Sequence, residues 1–455
     1  MTFSPLDSAL LGPLFTTEAM GRAFSDAALI QAMLTAEAAL ARAEARYDLV
    51  PTALAEAIGR LTAGDFDPVV LGWETAVAGV PVIPFVKALQ AKLGADLERH
   101  VHKGATTQDI HDTAIMLQVR EALGLVAAEL AAIVAALADL AEAHARTPCI
   151  GRSYGQHAAP VTFGFKVAVW LAGIVDVAGR LPDLRRTALR ASLGGPVGTL
   201  AALGDKGPAV AEAFAWDLGL ASSPVAWHTR RSGMVEIGAW LAMLIGALAK
   251  VGGDVANLAS TEVAEVAEPY LPGRGGSSAM PHKRNPVSST LILAAASVSQ
   301  GLVAPLLSSM VAAHERPVGD WHAEWHVLPQ LFGLAAGALR EARVLAQGLE
   351  IDSARMARNI DLTQGLIFAD AAAASLASRM GREKAHALVE AAASAARKKG
   401  LPLRAALRNR SEFPADVDEA AFERAFDIGP AIESGARWVA PVAASARAIA
   451  RTLSV

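Results

Sequence analysis

The stretch from Gly273 to Pro286 reads Gly-Arg-Gly-Gly-Ser-Ser-Ala-Met-Pro-His-Lys-Arg-Asn-Pro. Its three glycines and two prolines disfavour regular helix, while the apolar helical patterns on both sides predict a rigid frame that holds its ends. Between Ser277 and Asn285 it carries two serines, a lysine and an asparagine, residue types that bind a carboxylate and move a proton. A surface loop with solvated basic residues is the plainer interpretation. A phosphate-binding P-loop is disfavoured, because no glycine directly precedes Lys283 and no serine or threonine follows it.

The composition is typical of a helical protein that acts on small molecules. The 455 residues carry a net charge of −4 with 19% charged residues, which argues against a nucleic-acid or membrane-surface partner. Hydrophobic residues make up 53% of the chain, many of them alanine, and aromatic residues only 5%. Such a composition suits close-packed helices. A small anionic substrate would therefore meet local basic clusters rather than a basic surface.

The use of cysteine and the apolar runs indicate a cellular compartment. Cys149 is the single cysteine, so no intrachain disulfide forms and a reducing compartment is favoured. The N-terminus lacks the basic region and apolar core of a signal peptide. The longest apolar run, Ile237 to Ala249, falls short of the roughly 20 residues that a membrane-spanning helix needs. We therefore expect a soluble, cytoplasmic protein without a membrane partner.

Apolar residues at helical spacing predict an all-α fold with an elongated bundle. Several helices should reach about 25 residues or more, roughly twice the mean helix length in globular proteins. The longest follows Thr107 and ends before Pro148, and its apolar seam steps by three and four residues along Leu123, Val126, Leu130, Ile133, Leu137, Leu140 and His144. We predict three regions: an N-terminal helical domain (1–104), a central long-helix bundle (105–350) and a small C-terminal helical domain (351–455).

Local signals give further element boundaries. Ser25 predicts a helix start, and Pro81 and Pro84 are expected to break the chain before the next helix. A helix is expected from Pro160 to about residue 190, followed by an irregular segment that lasts to Thr229. Alternating strand patterns of convincing length are not found in the sequence.

Thr106 and Thr107 stand where the N-cap of the longest helix belongs. The unpaired backbone amides of a helix N-terminus, together with two hydroxyl groups, provide a natural seat for a carboxylate. Ordinary capping without a ligand explains the same residues. The chemistry of the residues leaves both interpretations open.

The segment Gly276 to Pro286 resembles the signature loop of the fumarase/aspartase superfamily, whose members add or eliminate groups beta to a carboxylate. Two further segments match motifs of that superfamily in the expected order, Gly104 to Thr113 and Gly151 to Gly164. The resemblance covers nearly the whole chain. It implies an all-helical, three-domain fold, a twenty-helix core in a homotetramer, and active sites that are each assembled from three subunits.

Departures from the superfamily pattern are informative. Most members pair a histidine in the second motif with a glutamate five residues after the loop asparagine, and these positions are Tyr154 and Thr290 here. Both halves of that acid–base pair are therefore missing. The residues with which adenylosuccinate lyases bind the nucleotide are also replaced, by Leu14-Phe15 and by Val82-Ile83-Pro84.

The remaining pattern is similar to the bacterial 3-carboxy-cis,cis-muconate cycloisomerase family. The segments that carry this likeness are Gln156-His157-Ala158, Ile83-Pro84, His314-Glu315-Arg316 and Trp321-His322-Ala323-Glu324-Trp325. The likeness implies a cofactor-independent lactonisation of a small tricarboxylate. In that reaction the nucleophile is the substrate's own carboxylate, which is already ionised near pH 7, so no base is needed to activate it.

The resemblance also implies roles for particular residues. Ser277 would donate the proton to the alpha carbon, and Lys283 and Asn285 would hold the enediolate. Carboxylates would be seated by residues of another subunit, namely Thr106, Thr107 and Gln108. His157 is a candidate second catalytic residue in contact with a substrate carboxylate, although it is also explained as a structural hydrogen-bond partner. Tyr154 is expected to contact the substrate. Arg316 would bind a third carboxylate, because a tricarboxylate needs several cations, although it is also explained as a partner of Glu315.

Three other classes of protein compete with this interpretation. A metal enzyme is suggested by His322 and His326 on either side of Glu324, but no His-Glu-x-x-His stretch occurs and we expect no metal or cofactor. A non-catalytic helical scaffold would have no need of the serine-containing loop. A lyase of the same superfamily is the third alternative, either adenylosuccinate lyase-like or one that releases an amine or nitrite from a substituted succinate. It stays open because a good leaving group also dispenses with the missing acid.

Overall fold

The chain folds around a bundle of long helices, as a computed structural model shows for residues 3–276, 280 and 282–453. The helices before the bundle are α1 (Gly12–Phe15), α2 (Glu18–Ala23), α3 (Asp26–Ala45), α4 (Thr52–Gly59), α5 (Pro68–Ala78), α6 (Val82–Leu93) and α7 (Ala95–Glu98). Ser25 caps α3 as predicted, since its side chain accepts from the Ala28 N–H. The expected break at Pro84 is wrong, because Pro84 lies in the first turn of α6, where a proline costs little.

The central region contains the longest helices and a short hairpin. Its elements are α8 (Thr107–Ala143), β1 (Pro148–Ser153), β2 (Gln156–Thr162), α9 (Phe163–Ala178), α10 (Leu181–Ala188), α11 (Gly207–Leu218), α12 (Ser232–Leu258), β3 (Val266–Ala267), α13 (Val287–Ser308), α14 (Asp320–Gly348) and β4 (Glu350–Ile351). Strand β1 pairs antiparallel with β2, and β3 pairs antiparallel with β4.

The C-terminal region contains shorter helices and one long helix. They are α15 (Ser353–Asp361), α16 (Ala369–Met380), α17 (Arg382–Lys399), α18 (Leu403–Arg408), α19 (Glu419–Arg424) and α20 (Gly429–Leu453). Single turns of 3-10 helix occur at Pro5–Asp7, Ala63–Asp65, Ser309–Val311 and Leu366–Phe368, and a longer 3-10 segment at Ala201–Lys206 is kinked at Gly204.

Two apolar cores divide the molecule. The larger one joins the N-terminal helices to the bundle, and the predicted seam of α8 lies inside it, with Leu123, Leu130 and Ile133 fully buried. The smaller core is formed by α16 to α19. Helix α20 returns to the larger core, where Val439 and Ala443 are buried. The smaller core is therefore the part of the C-terminal region that packs on its own.

Two expectations about the second motif and the segment after it are wrong. Residues 148–162 form a β-hairpin, and the helix expected from Pro160 begins at Phe163. Pro160 is accommodated because a two-stranded hairpin consists of edge strands, where a missing N–H is tolerated. The segment expected to be irregular up to Thr229 contains helix α11.

The long helices run alternately along the bundle and so define its two ends. The starts of α12 and α14 meet near the start of α8, where Arg231 bonds to both Asp112 and Glu324. The chain leaving α12 meets β4 and the β1–β2 hairpin at the opposite end, since Glu265 binds Arg152. We call these the α8 end and the hairpin end.

Three helices of the described chain are long and apolar enough to cross a bilayer by length and composition, Thr107–Ala143, Ser232–Leu258 and Val287–Val311. The expectation that the apolar runs are too short is therefore not supported by the helices themselves. All three contribute to the larger core, and α8 also carries the buried carboxylates Asp109 and Asp112.

Candidate active site

Thr106 is the N-cap of α8, as predicted, and has extended backbone geometry. Its backbone N–H donates to the Asp109 carboxylate over 3.0 Å, and its carbonyl accepts from the Asp109 N–H. Arg316 donates from Nη2 to the Thr106 Oγ1 over 2.8 Å. The N-terminus of α8, a hydroxyl group and a guanidinium therefore converge at one point, which is the donor set that binds a carboxylate.

The Asp109 carboxylate fixes the wall beside this seat. It is fully buried and accepts from the backbone N–H groups of Gly194 and Gly195 over 2.9 and 2.8 Å. His228 Nε2 lies 2.6 Å from Oδ1 of the same carboxylate. Gly195 has φ +70°, and a Cβ there would approach the Gly104 carbonyl oxygen to 2.9 Å, so glycine is required for this close approach.

Arg316 keeps part of its hydrogen-bonding capacity uncommitted. Besides Thr106, its Nη2 reaches the Pro196 carbonyl at 3.5 Å, and its Nε is buried without a hydrogen-bond partner in the described part of the chain. A buried guanidinium N–H without a partner is costly, and a bound carboxylate would satisfy it. The contacts place Arg316 at the α8 seat rather than in a pair with Glu315.

Thr107 and Gln108 differ in burial and in hydrogen bonding. Thr107, in the first turn of α8, is half-buried, whereas Gln108 is fully buried. The Gln108 amide nitrogen donates to the His228 carbonyl over 3.0 Å and to Asp112 over 3.2 Å. Both of its donors are thus engaged inside the fold, while its Oε1 has no partner among the described residues. The predicted role of Gln108 in substrate binding stays a prediction.

A buried network of charges lies beneath the seat. Arg231 donates to Asp112 over 2.7 Å and to Glu324 over 2.9 Å, and Trp321 Nε1 donates to Asp112 over 2.9 Å. Burial opposes ionisation of Asp112, but Arg231 beside it nevertheless holds the pKa of that carboxyl below its usual value. Burial raises the pKa of Glu324. The network joins the starts of α8, α12 and α14.

His111 is enclosed next to this network, and both of its ring nitrogens lack hydrogen-bond partners in the described structure. Its ring packs on Trp321 and Trp325. Burial, assisted by the charge of Arg231, lowers the pKa of His111 to about 4. The imidazole is therefore neutral at pH 7.

At the hairpin end, Tyr154 and His157 lie on the β1–β2 hairpin. Tyr154 is in the turn with φ +52°, and its side chain is fully exposed. His157 lies on β2 directly across from Arg152 on β1. Arg152 forms two hydrogen bonds, of 3.0 and 2.6 Å, with the fully buried Glu265 carboxylate.

The His157 imidazole is half-buried, and its Nδ1 is enclosed without a partner in the described chain. Burial is the main cause that lowers the pKa of His157, and the positive charge of Arg152 acts in the same direction. The Glu265 carboxylate opposes that shift. Burial and Arg152 thus favour the neutral form of the ring.

The ends of the Gly273 to Pro286 loop are firmly attached. The Asn285 N–H donates to the Gly275 carbonyl over 2.9 Å. Arg284 donates to both Glu350 oxygens over 3.0 and 2.9 Å and to the Glu268 carbonyl over 2.7 Å. Ser277, for which we predict a proton-donating role, lies outside the described residues.

The loop borders a large groove of about 960 Å³ at the hairpin end. Lys283 is exposed and Asn285 is half-buried, and both line this groove. Residues 350–353 also line it. The groove is open to solvent, so one chain alone does not enclose a substrate there.

The structure brings the predicted residues together in two groups rather than one. Thr106, Thr107, Gln108 and Arg316 lie at the α8 end, whereas Lys283 and Asn285 lie at the hairpin end, with Tyr154 and His157 on the hairpin itself. Helix α8 has 37 residues and is about 55 Å long at 1.5 Å per residue. A small substrate cannot contact both groups of one chain.

The sequence interpretation missed several residues that organise these groups, namely Asp109, Arg152, Glu265, Glu268 and Arg284. Three of them, Asp109, Arg152 and Arg284, lie inside the quoted motifs, so their positions could have indicated a functional role. Glu265 and Glu268 precede the loop in the segment Glu-Val-Ala-Glu. Their carboxylates bind partners that are distant in sequence, which no spacing rule predicts.

Comparison with protein families assigns the chain to a class. The family model described as Lyase matches residues 15–301, and the one described as Adenylosuccinate lyase C-terminus matches residues 365–442. The chain therefore belongs to the lyase family of the fumarase/aspartase superfamily, and the expected all-α fold is confirmed.

Individual relatives are similar over most of the chain. The 3-carboxy-cis,cis-muconate cycloisomerase of Pseudomonas aeruginosa is 45% identical, covering 94% of this chain and 95% of the relative. The nitrosuccinate lyase of Streptomyces davaonensis is 41% identical, covering 93% and 91%. The crystal structure of the 3-carboxy-cis,cis-muconate lactonizing enzyme from Pseudomonas putida is 43% identical and superposes with a TM-score of 0.91, covering 97% of this chain and 100% of that one.

Proposed function

We propose that this protein is a cofactor-independent cycloisomerase that converts 3-carboxy-cis,cis-muconate to 4-carboxymuconolactone. The observation that carries the proposal is the carboxylate seat at the start of α8, where Arg316 is bonded to Thr106 and retains a buried, unpartnered Nε–H. A tricarboxylate needs several such donors. The similarity to cycloisomerases over more than nine-tenths of the chain supports the same substrate.

The reaction needs little acid–base catalysis at the attacking oxygen, because the nucleophile is an ionised carboxylate of the substrate. One substrate carboxylate attacks the carbon beta to a second carboxylate, and the electron pair of the broken double bond collects on that second carboxylate as an enediolate. Lys283 and Asn285, at the groove, would hold this charge. A proton donated to the alpha carbon completes the lactone, and we assign that donation to Ser277 by resemblance.

Thr290 illustrates why elimination of a poor leaving group is disfavoured. It occupies the position of the usual glutamate, and its hydroxyl donates to the Pro286 carbonyl over 2.7 Å within its own helix. A hydroxyl held in this way is a poor substitute for a carboxylate acid. Tyr154, at the position of the usual histidine, is at the exposed hairpin turn.

We further propose that the active site is completed between copies of the chain in a homotetramer. The two groups of site residues lie at opposite ends of a helix about 55 Å long. Antiparallel packing of bundles would bring the α8 end of one copy to the hairpin end of another.

The long apolar helices fit such an assembly. Helix α13 carries exposed Leu293, Val298 and Leu307, which a neighbouring bundle would cover. We therefore assign the apolar helix faces to contacts between copies rather than to lipid, and we place the protein in the cytoplasm, acting on a small molecule without nucleic-acid or membrane partners.

A substrate panel tests the proposed activity. Purified protein without added metal or cofactor should consume 3-carboxy-cis,cis-muconate with loss of the diene absorbance, and chelators should have no effect. Ser277→Ala should abolish turnover while the oligomer persists. Cleavage of nitrosuccinate, aminosuccinate or adenylosuccinate with the diene left unchanged would contradict the proposal. The nitrosuccinate arm matters most, because a relative with that name is 41% identical.

A further inference from the structure

Glu265 is a fully buried carboxylate that three donors surround. Arg152 donates to both of its oxygens over 3.0 and 2.6 Å, and Asn359 Nδ2 donates to Oε1 over 2.8 Å. A buried ion pair contributes little net stability compared with apolar residues of the same volume. The presence of this pair therefore suggests a role other than stability.

The three residues connect separate parts of the hairpin end. Arg152 lies on β1 across from His157, and Asn359 lies on α15. The Glu265 carbonyl accepts from the Asp352 N–H over 3.0 Å, which fixes the start of β3 beside β4. The pair thus attaches the hairpin to the chain that leads into the loop.

Three residues further on, Glu268 fixes the other end of this connection. Its carboxylate accepts from the backbone N–H groups of Ser288 and Ser289 over 2.9 and 2.8 Å. Ser288 and Ser289 lie in the first turn of α13, which begins two residues after Asn285. Residues 265–268 are therefore a short rigid link between the hairpin and the loop.

We propose that Glu265, together with Arg152 and Asn359, is a positioning residue that sets the His157 imidazole relative to Lys283 and Asn285. The proposal rests on the proposed function, because it assigns these residues to the same active site. Asn359 brings the C-terminal region into that arrangement, since its side chain also donates to the Val263 carbonyl over 2.9 Å.

The charges of the pair give the proposal an electrostatic signature. Arg152 on β1 and Glu265 before β3 are the charged groups that act on His157, and they act in opposite directions on its pKa. Glu265→Gln should lower the His157 pKa further, whereas Arg152→Gln should raise it. These shifts report how the two charges act on the ring, and the turnover of Asn359→Ala reports whether the pair positions it.

The turnover experiment uses Asn359→Ala in the full-length protein, with Arg358→Ala as the matched control. Asn359→Ala leaves both charges in place and removes the amide that donates to Glu265 and to the Val263 carbonyl. A displacement of a catalytic group by about 1 Å costs on the order of a hundredfold, so we expect kcat/KM to fall at least about tenfold. Arg358 is exposed on the same helix, and its replacement should leave kcat/KM within about twofold.

Histidine NMR on ¹³C-labelled protein supplies the second measurement, with the His157 signal assigned by its loss in His157→Gln. Opposite pKa shifts in Glu265→Gln and Arg152→Gln, together with the loss of turnover in Asn359→Ala, support the proposal. Equal or absent shifts, or wild-type turnover in Asn359→Ala, overturn it. If the charge variants do not fold, Asn359→Ala alone decides.

The two proposals fail in different ways. If the wild-type protein does not convert 3-carboxy-cis,cis-muconate but cleaves another substrate of the panel, the proposed substrate is wrong, and the positioning role stands if Asn359→Ala loses turnover on that substrate. If the wild-type protein converts 3-carboxy-cis,cis-muconate and the shifts are absent, the positioning role is wrong and the function stands.

Discussion

The two ends of the bundle present their functional side chains differently. At the α8 end, Thr106, Gln108 and Arg316 are buried or half-buried and already hydrogen bonded within the chain. At the hairpin end, Tyr154 is exposed at the hairpin turn, and Lys283 is exposed at an open groove. One end is thus a preorganised seat for an anion, and the other presents its donors outward. This difference is the basis of our proposal that another copy of the chain completes the site.

The largest expected effect concerns the stability of the α8 end. Arg231→Met leaves the carboxylates of Asp112 and Glu324 buried without their cation, which should lower the free energy of unfolding by about 3–5 kcal/mol. Arg22→Ala removes an ion pair with Glu18 in which both side chains are exposed. This change should alter the free energy of unfolding by less than about 1 kcal/mol. Chemical denaturation measures both. Equal losses of the free energy of unfolding in the two variants would show that the buried network contributes no more stability than an exposed ion pair.

His111 should make the stability of the α8 end depend on pH. Its pKa is about 4 in the folded protein and about 6.5 in the unfolded chain, so the unfolded chain binds more protons between these values. The contribution of the neutral ring is fully present above pH 6.5 and is lost as pH falls toward 4. It amounts to at most about 3–4 kcal/mol.

Unfolding measured across pH 4–7 in the wild-type protein and in His111→Gln checks this expectation. The variant should lack the part of the slope that His111 supplies. An unchanged slope would mean that other groups account for the acid sensitivity.

Arg316→Ala tests the seat itself. The loss of a charge-assisted contact to a substrate carboxylate should reduce kcat/KM about a hundredfold and raise KM, while the fold persists. Arg60→Ala, at an exposed position, is the control and should behave like the wild-type protein. Steady-state kinetics on 3-carboxy-cis,cis-muconate provide the measurement, and an unchanged KM in Arg316→Ala would argue that the seat is only a helix cap.

The smallest expected effect is at Thr290. Because its hydroxyl is bonded to the Pro286 carbonyl within α13, Thr290→Ala should leave kcat within about twofold. A large loss of kcat would show that the hydroxyl takes part in proton transfer. The missing acid–base pair would then have been replaced rather than omitted.

The fold was predictable because its signals are local. The seam of α8 and the cap at Thr106 depend on residues within one or two helical turns, and the three motifs identified the family. The hairpin was missed because Gly151, Gly155 and Pro160 interrupt any alternating pattern. Tertiary packing, rather than local propensity, decides that segment.

The site was predictable only in part. Its residue types follow from the motifs, but the contact between Arg316 and Thr106 spans 210 positions and is created by the fold. The link through Glu265 is of the same kind, since its partners Arg152 and Asn359 are about a hundred residues away on either side. Long-range contacts of this kind require a structure.

Complementation between two inactive variants tests the central claim most directly. Arg316→Ala inactivates the α8 end and His157→Ala the hairpin end, and each variant alone should show little turnover. The account predicts that subunits of the two variants, unfolded together and refolded as mixed oligomers, regain activity, because some sites then receive an intact residue from each end. Mixed oligomers that stay as inactive as the separate variants would contradict a site shared between chains.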